Sequence, residues 1–97
     1  MAVGYIMEFD GFQPENYDAV SREVGWPDNW PDGLRFHAAG TGGGGLRLIE
    51  VWESREPREK WMSETIQPAI QKVAGDVAAS APPPRTTEFE VHFQAAR

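Results

Sequence analysis

Residues 34–53 read LRFHAAGTGGGGLRLIEVWE, and this stretch decides the fold. In its two flanks, Leu34 to Ala39 and Leu46 to Glu53, successive side chains alternate between two faces, which is typical of β-strands. The glycine-rich segment Gly40 to Gly45 lies between them and has the backbone freedom that a tight turn needs. The stretch therefore predicts a β-hairpin.

A strand and a helix are predicted before the hairpin. Val3 to Phe9 has the period of two that favours a strand, with one face formed by Val3, Tyr5, Met7 and Phe9 and the other by Gly4, Ile6 and Glu8. Pro14 to Val24 has a narrow apolar stripe at helical spacing, and its proline stands where a first helical turn loses no hydrogen bond. Gly25 is suited to end that helix in the left-handed conformation.

The loop from Trp26 to Gly33 contains two Trp-Pro pairs, and proline biases each preceding tryptophan away from the helical conformation. We expect an ordered loop. Exposure of the Trp26 and Trp30 indoles to solvent would leave large apolar surfaces in contact with water. We therefore expect these two indoles either to cover a pocket as a lid or to contact a second subunit.

A long helix and a final strand are predicted after the hairpin. Ser54 can cap a helix from Arg55 to Val77, whose apolar residues keep helical spacing for four turns. Pro68 removes one backbone hydrogen bond and predicts a kink or a break in this helix. Thr86 to Phe93 alternates again and favours a fourth strand.

The predicted order is β-α-β-β-α-β, which indicates a ferredoxin-like sheet of the α+β class with both helices on one face, in a single domain spanning residues 1–97. Strands one, three and four carry large apolar residues on both faces, as at Tyr5 and Ile6 or Leu48 and Ile49. Two helices cover one face only. We therefore expect a homodimer in which two sheets pack face to face.

The composition excludes several functional classes. Acidic residues outnumber Lys and Arg by 15 to 9, and the formal net charge is −6, so a nucleic acid or an anionic membrane surface is not an expected partner. The chain has no cysteine, hence no thiolate nucleophile and no cysteine-bound metal. It has no basic, apolar leader at its start and no apolar run of membrane-spanning length, so the expected location is cytoplasmic.

Four features of the chain occur together: Tyr17-Asp18 in helix one, Pro31 to Gly40 leading into the glycine turn, Val51 to Ser54 at the end of strand three, and Pro68 in helix two. In this combination they resemble the dimeric α+β barrel superfamily, in particular the small proteins similar to antibiotic biosynthesis monooxygenases. The resemblance covers nearly the whole chain. It implies the ferredoxin-like fold, closure of the dimer into an α+β barrel, and a pocket between the sheet and the helices.

The superfamily includes a haem-degrading branch, which is characterised by a histidine and a tryptophan on helix two and an asparagine on strand one. Trp61 matches the tryptophan, but Arg55 to Val77 contains no histidine and strand one contains no asparagine. The resemblance therefore implies no haem, and we expect no cofactor of any kind.

The cofactor-free monooxygenase branch matches better. It implies a small hydrophobic or aromatic ligand, such as a polyketide-like phenol that is ionised and then reacts directly with oxygen. Two alternatives stay open at this point: a non-catalytic module for ligand binding or dimerisation, and an oxygen-independent cyclase or isomerase of the same fold. Consumption of O2 during turnover would separate the oxygenase from the other two.

His37 is the candidate catalytic residue, because an imidazole titrates near neutral pH and suits a base or a hydrogen-bond donor to substrate. The alternative is a structural histidine that bonds to a loop carbonyl or to Trp52. His92, near the terminus, is expected at the surface. The two histidines have no acidic partners at metal-ligand spacing, so no metal site is predicted.

Four further residues are candidates for the walls of a substrate pocket because they combine apolar surface with positions on inward-facing elements: Tyr5, Met7, Trp52 and Trp61. Ordinary core packing is the alternative for each. Glu50 alternates with Leu48 and Trp52, so it either points inward as a buried carboxylate or pairs with Arg35 or Arg47.

Overall fold

A computed structural model describes all 97 residues. Helices and strands follow the predicted order, and the ferredoxin-like α+β class is confirmed. The elements are β1 (Val3–Asp10), α1 (Pro14–Val24), β2 (Leu34–Gly42), β3 (Gly45–Trp52), α2 (Arg55–Trp61), a π-helical segment (Met62–Ile66), α3 (Gln67–Ser80) and β4 (Arg85–Glu90). No helix combines the length and the apolar character that a membrane span requires.

Several element boundaries differ from the prediction; β2, for example, continues to Gly42 instead of ending at Ala39. The long helix and the last strand differ for identifiable physical reasons. The long helix is divided into α2, the π-helical segment and α3, and Pro68, which has no N–H to continue the helical hydrogen bonds, is the second residue of α3. The non-helical backbone conformation lies further on, at Ala74 (φ −144°, ψ 25°). The last strand ends at Glu90 instead of Phe93. Its partner β1 begins at Val3, which pairs with Glu90, so almost no chain remains for later residues to pair with.

The four strands form one antiparallel sheet in the order β2-β3-β1-β4. A two-residue turn joins β2 to β3. Its residues Gly43 and Gly44 have φ angles of +60° and +95°, and a turn with two positive φ values matches the twist of a hairpin. Glycine is the residue that adopts this conformation without strain.

A β-bulge near the start of β2 sets which residues of that strand face the helices. Leu34 pairs with Trp52, but Phe36 pairs with Val51, so Arg35 is an extra residue on this strand. Without the bulge, simple alternation from the buried Leu34 would turn His37 away from the helices. With it, His37 pairs with Glu50 and faces them.

The helix-covered face carries the core in two clusters. One consists of Tyr5, Leu34 and Trp52, and the other of Phe12, Leu46 and Ala74. Trp52 is fully buried, with 0% of its surface exposed. The opposite face of the sheet has no covering helix. Two rows of cross-strand neighbours run across it, one formed by Phe36, Val51, Gly4 and Phe89 and the other by Ala38, Ile49, Ile6 and Thr87.

Candidate functional site

An apolar cavity of about 80 Å³ lies between the helix-covered face of the sheet and the helices. Thirteen of its 17 lining residues are hydrophobic, and no lysine or arginine is among them. Its hydrophobic wall comes from β1, β3, α1 and the helical segments after β3, through residues that include Met7, Phe9, Leu48, Val20, Trp61, Met62 and Ile66. The cavity therefore suits an uncharged, apolar or aromatic group.

A chain of hydrogen bonds reaches this cavity from its polar side. His37 Nε2 lies 2.7 Å from the Tyr17 hydroxyl, and His37 Nδ1 lies 2.7 Å from Glu50 Oε2. The indole N–H of Trp52 donates to Glu50 Oε1 at 3.0 Å. Tyr17, His37 and Glu50 all line the cavity. Three titratable side chains are thus joined in one line that ends at an apolar space.

The partners of His37 determine which ring nitrogen carries the proton. Glu50 as a carboxylate is an acceptor only, so Nδ1 of His37 must donate to it. In the neutral imidazole Nε2 then has a free lone pair and accepts the hydrogen bond of the Tyr17 hydroxyl. A histidine held in this tautomer by a carboxylate presents a basic nitrogen, at Nε2, on the side of the cavity.

Each member of the chain is placed by a different local feature. The bulge at Arg35 turns His37 to the helix-covered face, opposite Glu50 on the neighbouring strand β3. Tyr17 lies in the first half of α1, on the apolar stripe of that helix that faces the sheet. Gly25 ends α1 with a φ of +76°, and the chain then turns back so that the Trp26 ring meets the His37 ring at 4.6 Å between centroids.

Burial strengthens the hydrogen bonds that join Tyr17, His37 and Glu50. The side chains of His37 and Glu50 are 11% and 6% exposed, and water competes little for their hydrogen bond. Desolvation is the main cause that raises the pKa of the Tyr17 phenol above its ordinary value of 10.0. Tyr17 is accordingly a neutral hydroxyl at physiological pH, able to donate to His37 and to accept from a ligand.

The five residues predicted for the site fall into two groups. His37, Met7 and Trp61 line the cavity. Tyr5 and Trp52 are buried in the core cluster beside it and do not line it. Trp52 still touches the site through its hydrogen bond to Glu50.

Tyr5 belongs to a second polar cluster toward β4. Its hydroxyl donates to Glu88 Oε1 at 2.8 Å, and Glu88 also accepts two hydrogen bonds from the Arg55 guanidinium. Burial, followed by the hydrogen bond to Glu88, raises the pKa of Tyr5 to about 12. The Arg58 guanidinium lies over the Tyr5 ring, 4.1 Å from its centroid. These contacts give Tyr5 a structural environment separate from the cavity.

Sequence reasoning did not identify Tyr17 as a site residue, since it reads as one position of an apolar helical stripe. Glu50 points inward, which was one of its two predicted orientations, and it pairs with neither arginine. Arg47 instead forms an ion pair with Asp10 at 3.1 Å. In the tryptophan loop, Trp26 lines the cavity, and its ring stacks on that of Trp30 at 5.1 Å between centroids. Trp30 does not line the cavity and is exposed. His92 is exposed, as predicted.

No group of three or more histidine, aspartate and glutamate side chains is arranged to hold a metal ion.

Comparison with known proteins identifies relatives by structure alone. No protein-family model matches the sequence, and no curated protein matches it. A candidate antibiotic biosynthesis monooxygenase from Chloroflexus aurantiacus superimposes with a TM-score of 0.67 at 16% identity, over 99% of this chain and 98% of that one. SnoaB, a cofactor-independent oxygenase from Streptomyces nogalater, superimposes with a TM-score of 0.64 at 11% identity, over 99% and 98% of the two chains.

A dimeric protein of unknown function and ferredoxin-like fold from Bacteroides fragilis gives a TM-score of 0.63 at 10% identity, over 93% of this chain and 96% of that one. These likenesses span the whole domain at low identity, so they concern the fold. The resemblance inferred from the sequence motifs is confirmed at that level: the chain has the ferredoxin-like fold of the antibiotic biosynthesis monooxygenase-like proteins.

Proposed function

We propose that this protein is a cofactor-independent oxygenase that binds a small, uncharged phenol or hydroquinone in the cavity, with His37 as the base. The observation that carries the proposal is the hydrogen-bonded chain from Trp52 through Glu50 and His37 to Tyr17, which ends at an apolar cavity. The fold it shares with SnoaB, which is named as a cofactor-independent oxygenase, supports the same class of reaction.

The proposed reaction begins with removal of the phenolic proton. A substrate hydroxyl bound at Tyr17 transfers its proton to the tyrosine oxygen as the Tyr17 proton passes to His37 Nε2, 2.7 Å away. The Glu50 carboxylate on the opposite ring nitrogen stabilises the imidazolium that results. The apolar wall keeps water from solvating the substrate anion, which leaves the anion electron-rich and reactive toward oxygen.

The substrate itself supplies all the electrons in this scheme. For a hydroquinone, addition of O2 to the ring carbon of the anion and loss of water give a hydroxyquinone. One oxygen atom enters the product and the other leaves as water, so hydroquinone plus O2 balances with hydroxyquinone plus water. The residues Met7 and Trp61 form part of the wall against which the ring lies, and Trp52 and Glu50 act as positioning residues through His37.

The same acid–base chain also suits an oxygen-independent isomerase or cyclase, and an apolar cavity alone suits a non-catalytic binding protein. Isotope labelling separates the three. The protein is incubated with 1,4-dihydroxynaphthalene under ¹⁸O2, and the product is analysed by mass spectrometry. We expect 2-hydroxy-1,4-naphthoquinone carrying one labelled oxygen, at a rate well above the background oxidation without protein.

Histidine variants supply the matched control for this assay. Because a positioned base is typically worth about 10²–10⁴-fold in rate, His37→Ala is expected to lower labelled product by that factor. His92→Ala changes the other histidine, which is exposed and does not line the cavity, and is expected to leave the rate unchanged. Equal rates for both variants, or unlabelled quinone only, would contradict the proposed oxygenase.

We also propose that the protein is a homodimer formed through the open face of the sheet. Four large apolar side chains on that face are 37–44% exposed: Ile6, Phe36, Ile49 and Phe89. A face of this kind is normally covered, and a second copy covers it with the same residues about a twofold axis. The ferredoxin-like relative from Bacteroides fragilis, which is described as dimeric, supports this assembly.

A charge placed at the centre of that face tests the dimer. Ile49→Lys is expected to sediment as a monomer, whereas the unmodified protein sediments at twice the mass of the 10.8 kDa chain. Val73→Lys adds the same charge at a 36% exposed valine of α3, on the helical side, and is expected to remain dimeric. A monomeric unmodified protein at micromolar concentration would refute the proposal.

A further inference from the structure

A groove of about 380 Å³ lies next to the inner cavity, on the other side of α2 and the π-helical segment. Six of its nine lining residues are polar or charged, among them Asp32, Glu56, Lys60 and Glu64. Trp61 is the residue that lines both the groove and the cavity. Charged side chains of both signs border the groove, whereas hydrophobic side chains form most of the cavity wall, so the two spaces differ in lining as well as in size.

The wall between the two spaces is the helical stretch that begins at Trp61. Met62 and Ile66 face the inner cavity, and Glu64 and Thr65 face the outer groove. Neighbouring residues of a helix point in different directions, so most side chains of this stretch can serve only one side. The indole of Trp61, the last residue of α2, is large enough to border both.

Size makes this wall important for specificity. The inner cavity, at about 80 Å³, is well below the roughly 300–1,000 Å³ of typical small-molecule sites. A phenol of one or two rings is the ligand it accommodates, and a phenol of three or more rings needs additional room. With the outer groove added, the combined space falls within the typical range.

We propose that Trp61 is the specificity-determining partition of the site, and that its indole limits the ligand to what the inner cavity holds. This inference rests on the proposed function, since it assumes that the cavity binds a phenol. A ligand that extends past the partition would place its additional ring in the space now bordered by the groove residues. Removing the indole joins the two spaces and extends the accepted ligands toward larger phenols.

Affinities for phenols of increasing size test the partition. Binding of phenol, 1-naphthol and 9-phenanthrol, which have one, two and three rings, is measured by calorimetry for the unmodified protein and for Trp61→Ala. We expect the unmodified protein to favour the smaller ligands. In Trp61→Ala the affinity for 9-phenanthrol relative to phenol is expected to rise by roughly tenfold or more, as burial of additional aromatic surface allows.

Ile66→Ala is the matched control, because Ile66 lines the inner cavity but not the groove. It enlarges the cavity slightly without opening the wall, so the relative affinity for the three-ring ligand should change much less than in Trp61→Ala. Trp61→Leu keeps an apolar side chain and covers the case in which the alanine variant does not fold. An unchanged size preference in the folded Trp61 variants, or equal shifts in Trp61→Ala and Ile66→Ala, would overturn the partition while leaving the oxygenase proposal intact. Failure of every phenol to bind any variant would instead overturn both.

Discussion

Exchange of Glu50 for glutamine tests the hydrogen-bonded chain with the least change in shape. The Glu50 side chain is 6% exposed and accepts two hydrogen bonds, from the Trp52 indole at 3.0 Å and from His37 Nδ1 at 2.7 Å. A glutamine at this position has one oxygen and one NH2 group for the same two neighbours. Trp52 can only donate, so the amide oxygen must face Trp52 and the NH2 group must face His37.

The exchange therefore reverses the tautomer of His37. Nδ1 becomes an acceptor of the glutamine NH2 group, and the proton moves to Nε2, which then donates to the Tyr17 oxygen. Every group keeps a partner, but Nε2 has lost its free lone pair and cannot accept a proton. A base in the wrong tautomer is expected to lose roughly 10²–10⁴-fold of the oxygenation rate.

The stability of Glu50→Gln should change little by comparison. Two hydrogen bonds to a charged group, worth about 1.5–3 kcal/mol each, are replaced by two neutral ones worth about 0.5–1.5 kcal/mol each, and the cost of burying a charge is removed. We expect a net loss of at most about 2 kcal/mol in the free energy of unfolding. Glu50→Ala leaves the fully buried Trp52 N–H without a partner and should be the less stable variant.

The tautomer is read directly from the ¹⁵N NMR shifts of the imidazole nitrogens, and the assignment is simple because the chain has only 2 histidines. We expect His37 to carry its proton on Nδ1 in the unmodified protein and on Nε2 in Glu50→Gln. His92 serves as the exposed internal reference. The same tautomer in both proteins, or a reversed tautomer with full activity, would refute the reasoning.

Three further predictions follow from the polar side chains. Tyr17→Phe removes the hydroxyl that accepts the substrate proton, so the oxygenation rate should fall by roughly 10²-fold or more while the phenylalanine ring keeps the packing of α1; an unchanged rate would show that His37 reaches the substrate without Tyr17. Tyr5 is the one tyrosine that remains in the Tyr17→Phe variant, so an ultraviolet titration of that variant reports the pKa of Tyr5. This pKa of about 12 should fall when Glu88→Gln is introduced as well, because Glu88 raises the pKa of Tyr5 by a hydrogen bond and by its charge. A pKa that stays at about 12 in the double variant would contradict this. The free energy of unfolding should fall as the pH rises from 10.0 toward 12, because the raised pKa of Tyr5 gives stability that is complete below 10.0 and is lost toward about 12. It should also fall as the pH drops below 4.5, the ordinary pKa of Glu88, because Arg55 lowers the pKa of that carboxyl in the folded protein. Denaturant titrations across this range check the profile, and a maximum confined to acidic pH would be inconsistent with it.

The order of the elements was predictable because it depends on local pattern. The helix Pro14–Val24 has the boundaries that its proline, its apolar stripe and Gly25 predicted. The hairpin turn was predictable for the same reason, because consecutive glycines adopt the positive φ values that it requires. Each of these signals lies within a few residues of the structure that it specifies.

The orientation of His37 was not predictable in this way. It depends on the bulge at Arg35, and an arginine between Leu34 and Phe36 gives no local sign of an extra residue in the strand. The bulge follows from what must be buried: Leu34 packs beside Trp52, and His37 lies opposite Glu50. A one-residue shift exchanges the two faces, so the position of the candidate base is decided by tertiary packing.

The difference between local pattern and tertiary packing also explains which of the predicted pocket residues line the cavity. Alternation correctly places Tyr5, Met7 and Trp52 on the helix-covered face, but it says nothing about where on that face the helices leave a space. The space lies beside Met7 and Trp61, whereas Tyr5 and Trp52 are covered completely. Tyr17 was missed because an aromatic residue on the apolar stripe of a helix has the same pattern whether its hydroxyl is partnered or not.

The position of a bound phenol tests the central claim most directly. A crystal structure of the protein with 1,4-dihydroxynaphthalene, prepared without oxygen so that no reaction occurs, locates the substrate hydroxyl relative to the acid–base chain. The account predicts the ring in the cavity between the sheet and the helices, with one hydroxyl within hydrogen-bond distance of the Tyr17 oxygen or His37 Nε2. A ligand bound elsewhere, or bound in the cavity with both hydroxyls away from Tyr17 and His37, would contradict it.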